Sequence, residues 1–77
     1  MSSDKLGNHM KMLRAEAGLT QAELAAAVGV TRKTINTVEN GVFTPSALLA
    51  LKIARVLGKP VEAVFYLSPS GAQTAQD

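Results

Sequence analysis

The sequence predicts an all-α domain of five short helices, and three observations predict it. Helix punctuation recurs along the chain: Thr20-Gln21-Ala22-Glu23 has the form of a capping box, and Gly18, Gly29, Gly41 and Gly58 stand where apolar periodicity stops. Between these marks the apolar residues recur at helical spacing. The core must also be aliphatic, because 47% of the 77 residues are hydrophobic but the aromatics are only two Phe and one Tyr. A chain this short builds a small core, so association with a second copy is a natural way to bury more apolar surface.

The elements follow in order. Residues 1–7 form a polar lead-in, expected to be flexible. The first helix is expected over about 8–17, or from as early as Asp4, with Leu6, Met10, Leu13 and Ala17 as its stripe and Gly18 as its stop. Met12 lies off the stripe and is read as exposed. The second helix runs over 21–28 from the capping box, with Leu24, Ala25 and Val28 inward. Gly29 supplies the tight turn, and Val30 follows as an apolar plug. Thr31 caps the third helix, expected over 32–40, with Ile35 and Val38 inward and Asn40-Gly41 as its stop. The fourth starts near Pro45 or Ser46 and ends at Leu57. It carries two apolar stripes, one through Ala47, Ala50, Leu51, Ala54 and Leu57 and one through Leu49, Ile53 and Val56. A helix apolar nearly all round is buried on more than one side, and here the second side is expected to face another subunit. Pro60 opens a fifth helix to about Phe65, with Val61, Val64 and Phe65 inward, and Phe65-Tyr66-Leu67 has strand character. Residues 68–77 carry almost no apolar bulk and are read as a disordered tail. The working domain is therefore 8–67.

Composition excludes several classes. There is no cysteine, so disulfides and thiolate zinc sites are out, and a reducing cytoplasm is the simplest setting. No apolar run approaches the roughly 20 residues of a membrane span, and the first residues show no signal-peptide pattern. The single histidine, His9, has no second ligand near it and reads as a surface residue rather than a metal ligand. No nucleophile-and-base constellation is present, so an enzyme is not expected, and no cofactor or small-molecule substrate is evident. The net charge of +2 is too small to argue nucleic acid by itself. Its distribution says more: Arg32 and Lys33 stand together at the start of the third helix, and no acid lies between Ala25 and Val38.

The stretch Gln21 to Asn40, QAELAAAVGVTRKTINTVEN, resembles the helix-turn-helix of the lambda-repressor/Cro (xenobiotic-response-element) family. Gln21 opens the unit, Ala25 is the small residue at the helix crossing, and Gly29 is the turn. Val30, Ile35 and Val38 are core positions, and Glu39-Asn40-Gly41 is the exit. With Leu19-Thr20 before and Pro45-Ser46 after, the likeness covers about residues 8–67. It implies a lambda-repressor-like five-helix DNA-binding domain and a sequence-specific regulator, most simply a repressor binding a palindromic operator as a homodimer.

On that resemblance the third helix is the recognition helix, and its outward residues are Thr31, Arg32, Lys33, Asn36 and Thr37. Arg32 can pair bidentately with guanine, Lys33 can donate to guanine or phosphate, Asn36 can pair with adenine N6 and N7, and the Thr37 methyl can touch a thymine methyl. The resemblance places phosphate contacts on Gln21 and Asn40, and backbone N–H groups at the start of the fourth helix can hold a further phosphate. It also implies that Arg14 and Glu39 pair with each other, tying the first helix to the end of the third.

Two positions depart from the family pattern. Relatives often carry a basic residue where Val42 stands and a tyrosine where Phe43 stands. Backbone affinity is then expected to lean more on Thr44, Ser46 and Lys11. Some small repressors of this type end in an aromatic strand paired with the N-terminal segment; Phe65-Tyr66-Leu67 matches, and Lys5 to Gly7 can supply the partner. A second function class shares the fold, namely antitoxins and other protein-interaction modules. Such antitoxins often carry a tail that grips the toxin, and this short tail lacks the apolar anchors for that.

Overall fold

The structure is a computed structural model and describes residues 4–69. Its elements run β1 (Asp4–Asn8), α1 (Met10–Glu16), α2 (Gln21–Val28), α3 (Arg32–Glu39), α4 (Ala47–Leu57), α5 (Val61–Val64) and β2 (Phe65–Pro69). The five expected helices are present. The capping box forms as read: Thr20 Oγ1 accepts from Glu23 N at 3.0 Å, and Glu23 Oε1 accepts from Thr20 N at 2.9 Å. Gly29 stops α2 in the left-handed region at φ +80°. Thr31 and Ser46 cap α3 and α4 through their hydroxyls.

The main departure lies at the N-terminus. The lead-in expected to be flexible is a strand from Asp4, and its partner is the other end of the chain. β1 and β2 form a two-stranded antiparallel sheet in which Lys5 faces Ser68, Leu6 faces Leu67, Gly7 faces Tyr66 and Asn8 faces Phe65. This is the pairing of Lys5–Gly7 with the aromatic strand, made within one chain. Gly7 has a reason to be glycine: a Cβ there would overlap the Tyr66 ring. That ring lies over the glycine and stacks on His9 at a centroid distance of 4.7 Å. An aromatic ring covering a cross-strand glycine restores packing that the glycine lacks.

The strand also shortens α1. Asn8 closes β1 and its Oδ1 accepts from Met10 N at 3.0 Å, so the helix starts at Met10 rather than Asn8. Leu6 therefore belongs to the sheet and packs partly against the core, while Ala17 is exposed. Ser68 and Pro69 belong to β2, not to a tail. The rest of the expected disordered tail, 70–77, and residues 1–3 lie outside the described residues.

The core is aliphatic, as composition requires. Met10, Leu24, Ile35 and Ile53 are fully buried, and Phe65 alone contributes an aromatic. No polar or charged residue among the described ones is buried as a whole, although the side chain of Glu39 is. On α4 the buried residues are Leu49, Ile53, Ala54 and Leu57, whereas Leu48 and Leu51 remain 64% and 57% exposed. The two expected stripes do not separate: Leu49 and Ile53 of one are buried together with Ala54 and Leu57 of the other, and the uncovered apolar side is made by Leu51 with Leu48, which lies on neither stripe.

Ala25 sits at the α2–α3 crossing, 2% exposed, and its carbonyl accepts from both Gly29 N and Val30 N, at 2.9 and 3.0 Å. A longer side chain at this buried position would have to displace core neighbours. Ala25→Leu is expected to destabilise the domain by roughly 1–3 kcal/mol through overpacking. A thermal melt followed by circular dichroism should fall by several degrees, and an unchanged midpoint would mean that the two helices slide apart without cost.

Candidate nucleic-acid interface

The interface begins with a buried acid. Glu39 ends α3 with its side chain only 4% exposed, and an ionised carboxylate there requires partners. Arg14 supplies the first. Its Nε donates to Glu39 Oε2 at 2.8 Å and its Nη2 to Oε1 at 3.3 Å, while Nη1 donates to the Leu19 carbonyl at 3.0 Å. One guanidinium thus joins α1, the loop before α2 and the end of α3. Gln21 supplies the second partner, its Nε2 donating to Glu39 Oε1 at 3.1 Å.

The same Nε2 donates to Asn36 Oδ1 at 3.2 Å, and Asn40 Nδ2 donates to that oxygen at 3.3 Å. Gln21, Asn36, Glu39 and Asn40 therefore form one network on the flank of α3. It fixes the rotation of α3 against α2. It also fixes what each amide can offer. Both Nε2 hydrogens of Gln21 are engaged, so in this arrangement its side-chain amide has no donor left to offer. Asn36 Oδ1 already accepts twice and its Nδ2 is free, so it presents a donor. Bidentate pairing with adenine, which needs Oδ1 to accept from N6, requires that oxygen to be released first.

Arg32 and Lys33 are exposed, and neither makes an ion pair among the described residues. They line one open groove with Gln21 and Asn36. Two uncompensated cations and an amide donor thus share one face. Thr31 is mainly a cap: Thr34 N donates to its hydroxyl at 3.2 Å, and the Thr31 and Thr34 hydroxyls bond at 3.0 Å. Thr37 donates its hydroxyl back to the Thr34 carbonyl at 2.9 Å. Of the expected site residues, Gln21, Arg32, Lys33 and Asn36 come together, Asn40 joins through Asn36, and Thr31 and Thr37 spend their hydroxyls inside the helix.

The loop after α3 is fixed to it. Gly41 takes φ +75°, and Val42 N and Phe43 N both donate to the Thr37 carbonyl, at 2.9 and 3.2 Å. Asn8 is a positioning residue that sequence reasoning missed. Its Nδ2 donates to the carbonyls of Val38 and Glu39, at 3.2 and 3.4 Å, holding the last turn of α3. Thirty positions separate Asn8 from Val38, and no local pattern signals such a contact.

Comparison with known proteins agrees with this geometry. A helix-turn-helix family model of the Cro/C1 type matches residues 10–64. The chain belongs to that family. An HTH-type transcriptional regulator of Methanothermobacter thermautotrophicus is 52% identical over 61 residues, covering 78% of this chain and 88% of that protein. The regulator YgzD of Bacillus subtilis is 47% identical over 60 residues, covering 78% and 91%. Among solved structures, the restriction-modification controller protein C.AhdI from Aeromonas hydrophila superposes with a TM-score of 0.66 at 31% identity, covering 70% of this chain and 78% of that one. A protein from Bacteroides fragilis shares the fold with a TM-score of 0.72 at 24% identity, covering 79% of this chain and 98% of that one. This family member is thus a transcriptional regulator with a helix-turn-helix DNA-binding fold. No described helix is long and apolar enough to cross a membrane.

The Arg14–Glu39 pair gives a test that separates scaffold from reading surface. Arg14→Ala leaves a buried carboxylate with one partner fewer and is expected to cost roughly 3–5 kcal/mol. Arg14→Met combined with Glu39→Gln, which removes both charges, should recover most of that loss. Chemical denaturation of both variants checks it; equal destabilisation would mean that Arg14 acts through packing alone.

Proposed function

We propose that this regulator is a cytoplasmic repressor that binds a near-palindromic operator in double-stranded DNA as a homodimer, with α3 in the major groove. The observation that carries this reading is the free cationic face of α3: Arg32 and Lys33 are unpaired among the described residues and share a groove with the Asn36 donor. Phosphates are neutralised by such cations, and guanine presents two acceptors that one guanidinium spans. Arg32 reads a guanine, Lys33 a guanine or a phosphate, and Asn36 an acceptor on a base edge. Thr31, Thr37 and Asn40 border the contact, and the backbone N–H at Gln21 meets a phosphate.

Dimerisation follows from the uncovered side of α4. Leu48 and Leu51 cost solvation in the monomer and have no partner in the fold. A two-fold dimer that places its recognition helices about 34–36 Å apart, one DNA turn, demands an inverted repeat. Repression follows from occlusion of the promoter at such a site.

Selection from a random duplex pool tests the reading. The intact protein should enrich an inverted repeat, and Arg32→Ala should relax one position in each half. Lys33→Ala should lower affinity evenly and reduce the salt slope by about one if Lys33 meets phosphate. Enrichment of nothing at low salt would refute DNA recognition. In parallel, Leu51→Glu should convert the dimer to a monomer in sedimentation velocity while its melt persists; a monomeric wild type at micromolar concentration would refute the dimer.

A further inference from the structure

Of Asn8, Asn36 and Asn40, only Asn40 is followed by glycine; Asn8 precedes His9 and Asn36 precedes Thr37. The neighbour matters chemically. A peptide nitrogen can attack the side-chain amide carbon of the asparagine before it, and a glycine nitrogen does so with the least steric hindrance. The reaction needs no enzyme. Asn40 and Gly41 are both exposed, so water reaches them.

The fold holds this pair in the wrong geometry for attack. Asn40 is the C-terminal cap of α3, with φ −85° and ψ 2°. At that ψ the Gly41 nitrogen eclipses the Asn40 nitrogen and is turned away from Cβ, so it does not reach Cγ. Its N–H is also engaged, donating to the Val38 carbonyl at 3.1 Å. The Asn40 side chain is held separately, Nδ2 donating to Asn36 Oδ1 at 3.3 Å on the exposed surface. Val42 N and Phe43 N, both on the Thr37 carbonyl, keep the following turn closed. These bonds sit at a helix end, where local opening costs far less than global unfolding.

We propose that Asn40 is a deamidation site gated by the last turn of α3. When that turn opens, Gly41 N gives up its proton to solvent and bonds to Asn40 Cγ. The Cγ–Nδ2 bond breaks, Nδ2 takes up a proton and leaves as ammonia, and a succinimide remains. Water then adds to one of the two ring carbonyls and breaks its bond to nitrogen, giving aspartate or isoaspartate. In sum one water enters and one ammonia leaves, so no oxidant or cofactor is required. Either product sets a carboxylate against Asn36 Oδ1, where a donor stood. Isoaspartate also routes the backbone through Cβ, which displaces Gly41 N from Val38 O. On the DNA-binding reading above, the new charge meets phosphate and the regulator weakens with age. That consequence rests on the reading; the modification does not.

The full chain is aged at mildly alkaline pH, folded and in urea. Peptide mapping by mass spectrometry reads the exchange of ammonia for water at each asparagine. In the folded protein conversion should be confined to Asn40 and run roughly tenfold or more slower than in urea. Asn36→Ala removes the acceptor of Asn40 Nδ2 and should speed the folded reaction severalfold while leaving the rate in urea unchanged. Ile53→Val lowers global stability and should leave the folded rate as it is, because the opening is local. Four results overturn the proposal: no conversion at Asn40, a folded rate equal to the rate in urea, no acceleration by Asn36→Ala, or acceleration by Ile53→Val in step with its lost stability. Asn40→Asp, which carries the product charge, should bind the selected duplex roughly fivefold more weakly. Equal binding overturns the consequence for DNA. If the wild type binds no duplex, DNA recognition itself fails, and the mass spectra still decide the site.

Discussion

The geometry of the domain depends on one buried carboxylate. Glu39 sits at the end of α3 with its side chain almost out of solvent, and its oxygens are held by donors from two other elements. Arg14 reaches it from α1 and Gln21 from the start of α2. Three helices therefore meet at one charge, and none of them can rotate without stranding it. The benefit is in placement more than in stability, since desolvating an ion pair offsets much of its attraction. For a helix-turn-helix regulator, placement is the useful quantity: an α3 turned by a fraction of a residue presents different atoms on its outward face.

The same network decides what the surface can say chemically. Gln21 links the buried acid to Asn36, and Asn40 approaches Asn36 from the other side. An oxygen that accepts twice has little left for a base, so Asn36 is presented as a donor. Meanwhile the acids near the site are engaged elsewhere: Glu23 closes the capping box and Glu39 holds Arg14. The face of α3 is therefore positive although the whole chain carries only +2. Local pairing, not total charge, sets the field that a phosphate meets.

Legibility from sequence follows the range of the interactions. The bounds of α2 were readable because the capping box and Gly29 are local devices, complete within ten residues. The caps of α3 and α4 were readable for the same reason. The strand β1 was not readable from its own residues, because DKLGN has neither β-branched residues nor clean alternation. It becomes a strand through Tyr66, which covers Gly7 from the far end of the chain. The outward set on α3 could be read by subtraction once Ile35 and Val38 were placed inside. The direction of each amide could not, since it depends on contacts fifteen or more residues away. The Arg14–Glu39 pair was legible only through family resemblance, because its members are 25 residues apart.

The remaining apolar surface sorts into two groups with different demands. Leu48 and Leu51 project from a helix whose other side is core. A flat aliphatic side of this kind is covered well by its own copy, since a two-fold axis matches leucine to leucine. Val42 and Phe43 sit on a loop beside free cations, where a second protein surface would have to bury Lys33 unpaired. Desolvating that ammonium against protein without a counter-charge is unfavourable, whereas a phosphate would supply one. The two groups thus call for different partners on chemical grounds. If α4 pairs with its copy and the α3 loop meets DNA, each copy's DNA contact adds to the other's through the shared axis, and a domain with a small core and modest charge gains affinity it lacks alone.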